Sequence, residues 1–404
     1  MNAASLNFKH LYCLLSVAEH ESISRAAEIV HLSQPAVTQA VTKIEKLIDQ
    51  RLFDRSGRGL HPNEAGHIFI RRTKRAISLL TEGFSQASRE QRLNPSRLLR
   101  SLNTTQLRAL IQLSESGSYA LAGRQLGISH SSVHRSIREL QAWSGIEITQ
   151  PGRTGIRVTA RANRLANQAK LAFGELRQGI EEIRMLSSQS QVSLTLGCLP
   201  LARHRLIAKC LTEFLGQYPD ANVRLDEGPY EDLFNRLLRG DLDVLVGALR
   251  GNLSEAKVKE IPLFESEVAW VVGSQHYLAK SSELTLSEIK DECFWINRPG
   301  TPMRNIFERQ FIDSDLPLPE RIIQSSSHEV MLDLLKNTEM VAMVSYHMVT
   351  AEIRNGDLHL LPIEVAGAYR QIGYTVRDNF IPTAAQQRFL TLLTEQANRF
   401  NSGV

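Results

Sequence analysis

Apolar residues recur three and four positions apart at Phe8, Leu11, Leu14, Leu15 and Ala18, the spacing of one buried helical face. The same spacing returns at Leu107, Leu110, Ile111 and Ser114. A shorter helix is predicted after each, SRAAEIV and then ALAGRQL, with the small Ala26 and Ala122 where two helices must cross closely. Next comes a tight turn into a helix cap, His31-Leu32-Ser33 and Gly127-Ile128-Ser129. Gly127 suits a positive φ, and Ser33 and Ser129 can each accept from the first amides of the following helix. That third helix should bury Val37, Val41 and Ile44, or Val133, Ile137 and Leu140. Its outward edge is polar: Gln34, Thr38, Thr42 and Lys43 in one case, and His130, Ser131, His134, Arg135 and Arg138 in the other. Gly-turned hairpins follow, LFDRSGRGLHP with Arg55 and Arg58, and TQPGRTGIRV with Arg153 and Arg157.

The pattern is one module used twice. Shifting the chain by 96 positions aligns residues 7–80 with 103–176 without a gap, with identities such as Leu11/Leu107, Ser22/Ser118, Ala26/Ala122, Ser33/Ser129, Val37/Val133 and Gly59/Gly155. So long a period is a duplication rather than a solenoid. Each copy leads into an apolar stripe: Phe69, Thr73, Ala76, Leu80 and Ala87, then the stronger Leu165, Ala169, Ala172, Leu176, Ile180 and Ile183. Such stripes cover a partner helix, on the same chain or on another. The polar joint SREQRLNPSR, 88–97, separates the first stripe from the second copy, and LSSQSQ, 186–191, follows the second stripe. From Val192 onward strand and helix patterns alternate (VSLTLG, HRLIAKCLTEFLGQ, ANVRLDEG, YEDLFNRLLR, LDVLVGAL), and a second set follows from EVAWVVG to MVAMVS, closed by RQIGYTVRD and a helix over 383–400. That order is α/β.

Charge sharpens the division. Residues 1–190 hold 26 Lys and Arg against 15 Asp and Glu, while the remainder holds 21 against 28. A basic front half is the footprint of a DNA binder, and an acidic rear half is not built for phosphates. The polar helix edges fit that reading, because a recognition helix must offer donors and acceptors to base edges in the major groove, and its N-terminal amides favour phosphates. Arginines on the hairpins can reach the backbone or a minor groove. A length of 404 residues implies two to four domains. The longest apolar runs, VLVGAL and VAWVVG, are strand-sized, so no membrane span is expected, and MNAASLNFKH lacks an export signal's basic and apolar regions. Cys13, Cys198, Cys210 and Cys293 have no CxxC spacing, which fits a reducing, cytoplasmic setting.

Residues 7–66 resemble the winged helix-turn-helix of LysR-type transcriptional regulators, through the AA pair, the SQPAVTQ core, the LFDR run and the PNEAG that opens a linker helix. By that resemblance Ser33, Gln34, Pro35 and Thr38 face double-stranded DNA, and Arg55 and Arg58 hold the wing to it. The second copy has SHSSVHR, EITQPGR and TARAN in those places, so its candidate contacts are His130, Ser131, His134, Arg138 and Arg153, with a different sequence preference. Arg153 lines up with Arg58 only after a one-residue insertion in the wing. His130 and His134 stand four apart, a spacing that can hold zinc, but no third ligand is near and no metal is expected. The family pairs its linker helices between subunits, which implies a homodimer or homotetramer.

The rear half resembles the same family's two-lobed, periplasmic-binding-protein-like effector domain. The resemblance implies that the chain crosses between lobes near 267 and again near 377, with a ligand in the cleft at strand ends and helix N-termini. Candidate contacts are Leu199, Pro200 and Leu201 after the first strand, Ala248 at the end of VLVGAL, Gly300, Thr301 and Met303 in RPGTPMR, and Ser326 and Ser327. Hydroxyls of Thr301 and Ser327 beside helix amides suit a carboxylate, with ordinary helix capping as the competing reading. The RPGTPMR stretch resembles the branch of the family that senses aromatic acids or sugars.

The expected molecule is therefore multidomain. A winged helix-turn-helix over 1–66 and a linker helix and joint over 67–100 precede a second winged helix-turn-helix over 101–160 and a linker helix over 161–191. An effector domain over 192–404 follows, with lobe I at 192–267 and 377–404 and lobe II at 268–376. No GxSxG, HExxH, P-loop or GxGxxG stands in a supporting context, and His328, Glu329 and Cys293 have no triad spacing, so neither enzymatic activity nor a cofactor is expected. Two other readings stay open: a second copy that only holds an oligomer together, and a small-molecule-binding or transforming protein whose front half is scaffold.

Overall fold

The duplication is written into the backbone cap by cap. In this computed structural model, which describes residues 5–56, 59–88, 95–152, 155–186, 192–199, 206–251, 257–365 and 369–401, the first copy comprises α1 (Phe8–His20), α2 (Ile23–Val30), α3 (Gln34–Ile48), a hairpin of β1 (Phe53–Ser56) and β2 (Gly59–Pro62), and α4 (Glu64–Ala87). After α5 (Pro95–Ser101) the second copy repeats it as α6 (Thr104–Ser116), α7 (Tyr119–Leu126), α8 (His130–Ser144), β3 (Thr149–Gly152), β4 (Gly155–Val158) and α9 (Ala160–Leu186). Every counterpart starts 96 residues after its original. The caps repeat too: Asn7 and Asn103, Ser22 and Ser118, and Ser33 and Ser129 each accept a backbone N–H at a helix start.

Helix ends show where the copies diverged. The C-caps of α6, α7 and α8 are glycines with positive φ, Gly117 (63°), Gly127 (68°) and Gly145 (66°), whereas those of α1, α2 and α3 are Glu21 (52°), His31 (57°) and Asp49 (57°) in the same conformation. L-residues with a Cβ adopt it at a cost of about 1–2 kcal/mol. The hairpins also match without an insertion, Arg55 pairing Leu60 as Pro151 pairs Ile156, because Gly59 and Gly155 close turns of equal length. The one-residue insertion expected in the wing is therefore absent: by position Arg153 answers to Gly57, and Arg58 to Thr154.

The two linker stripes cover each other within one chain. Helices α4 and α9 run antiparallel along their length, and Phe69, Thr73, Ala76, Leu80 and Ala87 are buried, as are Leu165, Ala169, Ala172, Leu176, Ile180 and Ile183. This corrects the expectation that they pair between subunits. One core runs through both copies and the pair. At its centre the fully buried Arg72 binds Glu175 Oε2 at 2.7 Å, Gln178 Oε1 at 3.0 Å and the Glu182 carboxylate. Arg71 reaches Glu182 at 3.0 Å and Arg75 reaches Glu175 at 3.2 Å. Burial alone lowers the Arg72 pKa, but Glu182 and Glu175 outweigh it and the net direction is upward, so the guanidinium stays charged.

The chain forms two units, one built on residues 1–192 and the other on most of 193–404. In the rear unit, β5 (Ser193–Cys198), α10 (Ala208–Gln217), β6 (Asn222–Glu227), α11 (Tyr230–Leu238) and β7 (Val244–Ala248) lead into the long β8 (Val258–Gly273). Then come α12 (Leu286–Ile289), β9 (Cys293–Ile296), α13 (Pro302–Asp313), β10 (Ile322–Gln324), α14 (His328–Asn337), β11 (Met340–Ser345), α15 (Thr350–Arg354), β12 (Leu358–Leu360), β13 (Tyr369–Arg377) and α16 (Ala384–Asn401). Strand order is β10-β9-β11-β8-β13-β7-β5-β6, with β12 beside β8. The first part of β8, Val258 to Glu267, pairs with β13 in one lobe, and Val268 to Val272 pairs with β11 in the other. Because β13 pairs with that first part from Tyr369 through Arg377, the return crossing falls before Tyr369 and not near 377. Strand alternation in RQIGYTVRD did not reveal which lobe held its partner. Among the described residues no helix is long and apolar enough to cross a membrane.

Two outcomes follow. Replacing Arg72 with Met leaves Glu175 and Glu182 enclosed without that cation and should destabilise the front unit by about 3–5 kcal/mol, read as lost hydrogen-exchange protection of the α4 and α9 amides. Gly127→Ala should lower stability by about 1 kcal/mol in urea unfolding, whereas His31→Gly should leave it equal or slightly raised.

Candidate functional site

Helix α3 opens on Ser33, whose Oγ accepts from the Ala36 amide at 3.4 Å, so this hydroxyl serves the helix end. Gln34, Pro35 and Thr38 are exposed beyond it, and the Thr38 hydroxyl donates to the Gln34 carbonyl at 3.0 Å. Val37, Val41 and Ile44 hold the opposite face in the core, which leaves the polar edge no alternative but outward. Helix α8 repeats this arrangement over Val133, Ile137 and Leu140. Its cap Ser129 accepts from the Ser132 amide at 3.1 Å and shares hydroxyl contacts with Ser131 (2.9 Å) and Ser132 (2.8 Å). His130, Ser131, His134 and Arg138 are exposed, and the His134 ring stands edge-on to Tyr119 at 5.1 Å. Arg55 on β1 and Arg157 on β4 are exposed on the wings, while Arg58 and Arg153 lie outside the described residues. Each copy thus presents a helix start and a polar edge to solvent, the second more cationic than the first.

The rear unit encloses a cavity of about 730 Å³ between its lobes, within the range of small-molecule sites. Leu199 and Ala248 line it from one lobe, and Gly300, Thr301, Met303, Ser326 and Ser327 from the other, while Pro200 and Leu201 lie outside the described residues. The expected hydroxyl donors are occupied. Thr301 caps α13 by accepting from the Arg304 amide (3.3 Å) and donates to the Arg298 carbonyl (2.9 Å). Ser327 caps α14 through the Val330 amide (3.4 Å) and reaches Glu329 Oε2 at 3.3 Å. Capping is what these two side chains do.

The groups that need a partner were not among the sequence candidates. Strands β7 and β13 pair with Ala248 opposite Ile372, and the Leu249 amide continues the ladder to the Gln371 carbonyl at 2.9 Å. One residue beyond that last ladder bond on each side lie Arg250 and Arg370, near enough to repel, and both line the cavity. Burial, and then Arg250, bring the Arg370 pKa down to about 10, and its Nε has no hydrogen-bond partner among the described residues. The Arg250 guanidinium lies over the Tyr230 ring at 4.2 Å. Arg250 Nε, the Tyr230 hydroxyl and the Ser345 hydroxyl are likewise buried and unpartnered there. Burial, reinforced by Glu260, pushes Tyr230 up to about 12, so it stays a neutral donor. Four such atoms around one cavity ask for a polar ligand. The available signal in the sequence was an arginine two residues beyond VLVGA and another two before the IGYTV strand.

Comparison with known proteins agrees with both halves. The family described as "Bacterial regulatory helix-turn-helix protein, lysR family" matches twice, at residues 8–67 and 104–163, and "LysR substrate binding domain" matches residues 187–398. The HTH-type transcriptional regulator GalR of Pseudomonas putida is 26% identical over 395 residues, 97% of this chain and 98% of its own, so the similarity includes both copies. PcaQ of Agrobacterium fabrum is 23% identical over 298 residues, 74% of this chain and 96% of its own. Among solved structures, a full-length OxyR variant from Pseudomonas aeruginosa (17% identity, TM-score 0.53) covers 72% of this chain and 97% of its own, and CbnR, a LysR family transcriptional regulator (17%, TM-score 0.50), covers 72% and 98%. These two share the fold. With a doubled DNA-binding module ahead of an effector-binding domain, the chain belongs to the LysR family of DNA-binding transcription regulators and is not an enzyme.

Proposed function

We propose that this regulator holds operator DNA through both winged modules and answers to a small organic anion in the interlobe cleft, acting in the cytoplasm. The observation that carries the DNA part is the repeated exposed edge, Gln34 and Thr38 on α3 and His130, Ser131, His134 and Arg138 on α8, each at the start of a capped helix. Arg55 and Arg58 on the first wing, and Arg153 with Arg157 on the second, supply backbone contacts. The anion reading rests on Arg370 lying beside Arg250 in the cavity wall, with the Nε atoms of both buried and unmet among the described residues. An organic acid of a size to fill about 730 Å³ would neutralise that pair and take the Tyr230 and Ser345 hydroxyls as further partners. Thr301 and Ser327 contribute by capping the two helices that start at the cavity wall.

Affinity for the operator separates the roles of the two modules. Gln34→Ala with Thr38→Ala, and separately His130→Ala, His134→Ala and Arg138→Ala together, should each weaken specific binding by roughly 1–3 kcal/mol per lost base contact in gel-shift titration. If the second set leaves affinity and its salt dependence unchanged, the second module does not read DNA. For the cleft, a thermal-shift panel of mono- and dicarboxylic acids should yield a stabilising anion. Arg370→Met should abolish that response while raising the melting temperature of the ligand-free chain, since it removes a poorly solvated, unpaired charge. A neutral compound that stabilises the variant and the parent equally would contradict the anion reading.

A further inference from the structure

The contacts along the α4–α9 seam come in exchanged pairs. A Cβ placed on Gly83 would stand 2.7 Å from the Gln168 Cβ and 3.2 Å from Leu165 Cδ1, and one placed on Gly179 would stand 3.0 Å from the Arg72 Cβ and 3.5 Å from Phe69 Cδ2. Adding 96 turns Gly83 into Gly179, Arg72 into Gln168 and Phe69 into Leu165. The same two contacts are thus made twice with the copies swapped, which is how an isologous, two-fold interface is recognised. Here the two halves are joined in one polypeptide.

The charges on the seam specify this pairing over self-pairing. Helix α4 supplies Arg71, Arg72 and Arg75, and α9 supplies Glu175 and Glu182. The positions in α9 that answer to the three arginines are Asn167, Gln168 and Leu171, and those in α4 that answer to Glu175, Gln178 and Glu182 are Leu79, Glu82 and Gln86. An α9–α9 pair of the same geometry would enclose carboxylates without a cation, and an α4–α4 pair would set three arginines against the single carboxylate of Glu82. Each like pairing buries unmatched charge, and the mixed one does not.

The geometry points to a single chain that reads an operator of two unlike, inverted half-sites, α3 on one and α8 on the other. This rests on the reading that both modules touch DNA. A two-fold relation between reading helices maps onto inverted half-sites in duplex DNA, separated by about one helical turn or a multiple of it. In a symmetric dimer the half-sites match because the readers match. Here the readers differ, Gln34 and Thr38 against His130, Ser131, His134 and Arg138, so the half-sites differ as well.

The test is selection of duplexes from a random library by the full chain, repeated with the Gln34→Ala, Thr38→Ala variant and with the His130→Ala, His134→Ala, Arg138→Ala variant. The expected motif is non-palindromic. The α3 variant should lose sequence preference in one half only and the α8 variant in the other, each with roughly a tenfold or greater loss of affinity. All substituted side chains are exposed, and unchanged melting temperatures confirm that both variants fold. The two variants are then co-expressed and co-purified. If one chain supplies both readers the mixture stays as weak as its components. Restored affinity would mean that α3 and α8 of different chains serve one motif, and a palindrome relaxed in both halves by the α3 variant would mean the same module reads both; either overturns the assignment. An α8 variant identical to the parent in motif and affinity instead overturns the underlying reading that both modules touch DNA.

Discussion

Everything in the front unit depends on one buried cation. Arg72 lies fully enclosed between α4 and α9, and Glu175, Glu182 and Gln178 surround its guanidinium. Removing such a charge from water costs several kcal/mol, which only close, complementary partners offset. The apolar stripes would allow these helices to slide or to meet a different partner, because side chains such as Ala76, Ala169 and Ala172 pack without naming their neighbour. Arg72 fixes register and identity together, and with them the placement of both winged modules, since the core is continuous from α1 through α9. The tilted ring contacts of Trp143 at the end of α8 with Phe84 of α4 at 5.3 Å, and of Phe8 of α1 with Phe173 of α9 at 6.0 Å, show how far each copy leans on the other's linker.

The rear unit holds a charge problem of the opposite kind. Arg72 is surrounded by carboxylates, but Arg370 is held beside a like charge, Arg250, with its Nε unpartnered among the described residues. A fold tolerates such a pair where a ligand completes it, and stability is then lower without the ligand than with it. The cation above Tyr230 partly relieves Arg250 through the ring face at 4.2 Å, which leaves Arg370 the less satisfied of the two.

How much of this was readable from the chain depends on whether the signal was local. Caps and turns are local, so the paired serines Ser33 and Ser129, the apolar Val37 and Val133, and the polar edges beside them gave two winged modules at the right positions. What covered the stripes was not local. Leu165 through Ile183 announced a partner helix, but the choice between α4 and another chain lay in Arg71, Arg72 and Arg75 against Glu175 and Glu182, about a hundred residues away. In the cleft the candidates that line the cavity were readable locally, but its arginines were not. Thr301 and Ser327 stood out because helix starts are visible in sequence, and capping turned out to use their hydroxyls. Arg250 and Arg370 are 120 positions apart and meet only because β7 and β13 are neighbours, a pairing the alternation of RQIGYTVRD does not encode.

The C-caps explain why two copies of one backbone need not read alike. Glu21 accepts left-handed strain in the turn after α1, and its carbonyl receives the Leu60 amide of the wing at 3.1 Å while its carboxylate lies 3.1 Å from His61 Nδ1. A side chain at that turn therefore moors the first wing, and glycine there would give up the carboxylate. The second copy has Gly117 at the same place, where no carboxylate can hold its wing, and the position of His61 is taken by the exposed Arg157. Relaxing the cap thus coincides with replacing a tethered histidine by an exposed cation. The first module is built with its wing fastened to its own helices, and the second with its wing charge left for an outside partner; a phosphate backbone is the anion that a basic front half would meet there.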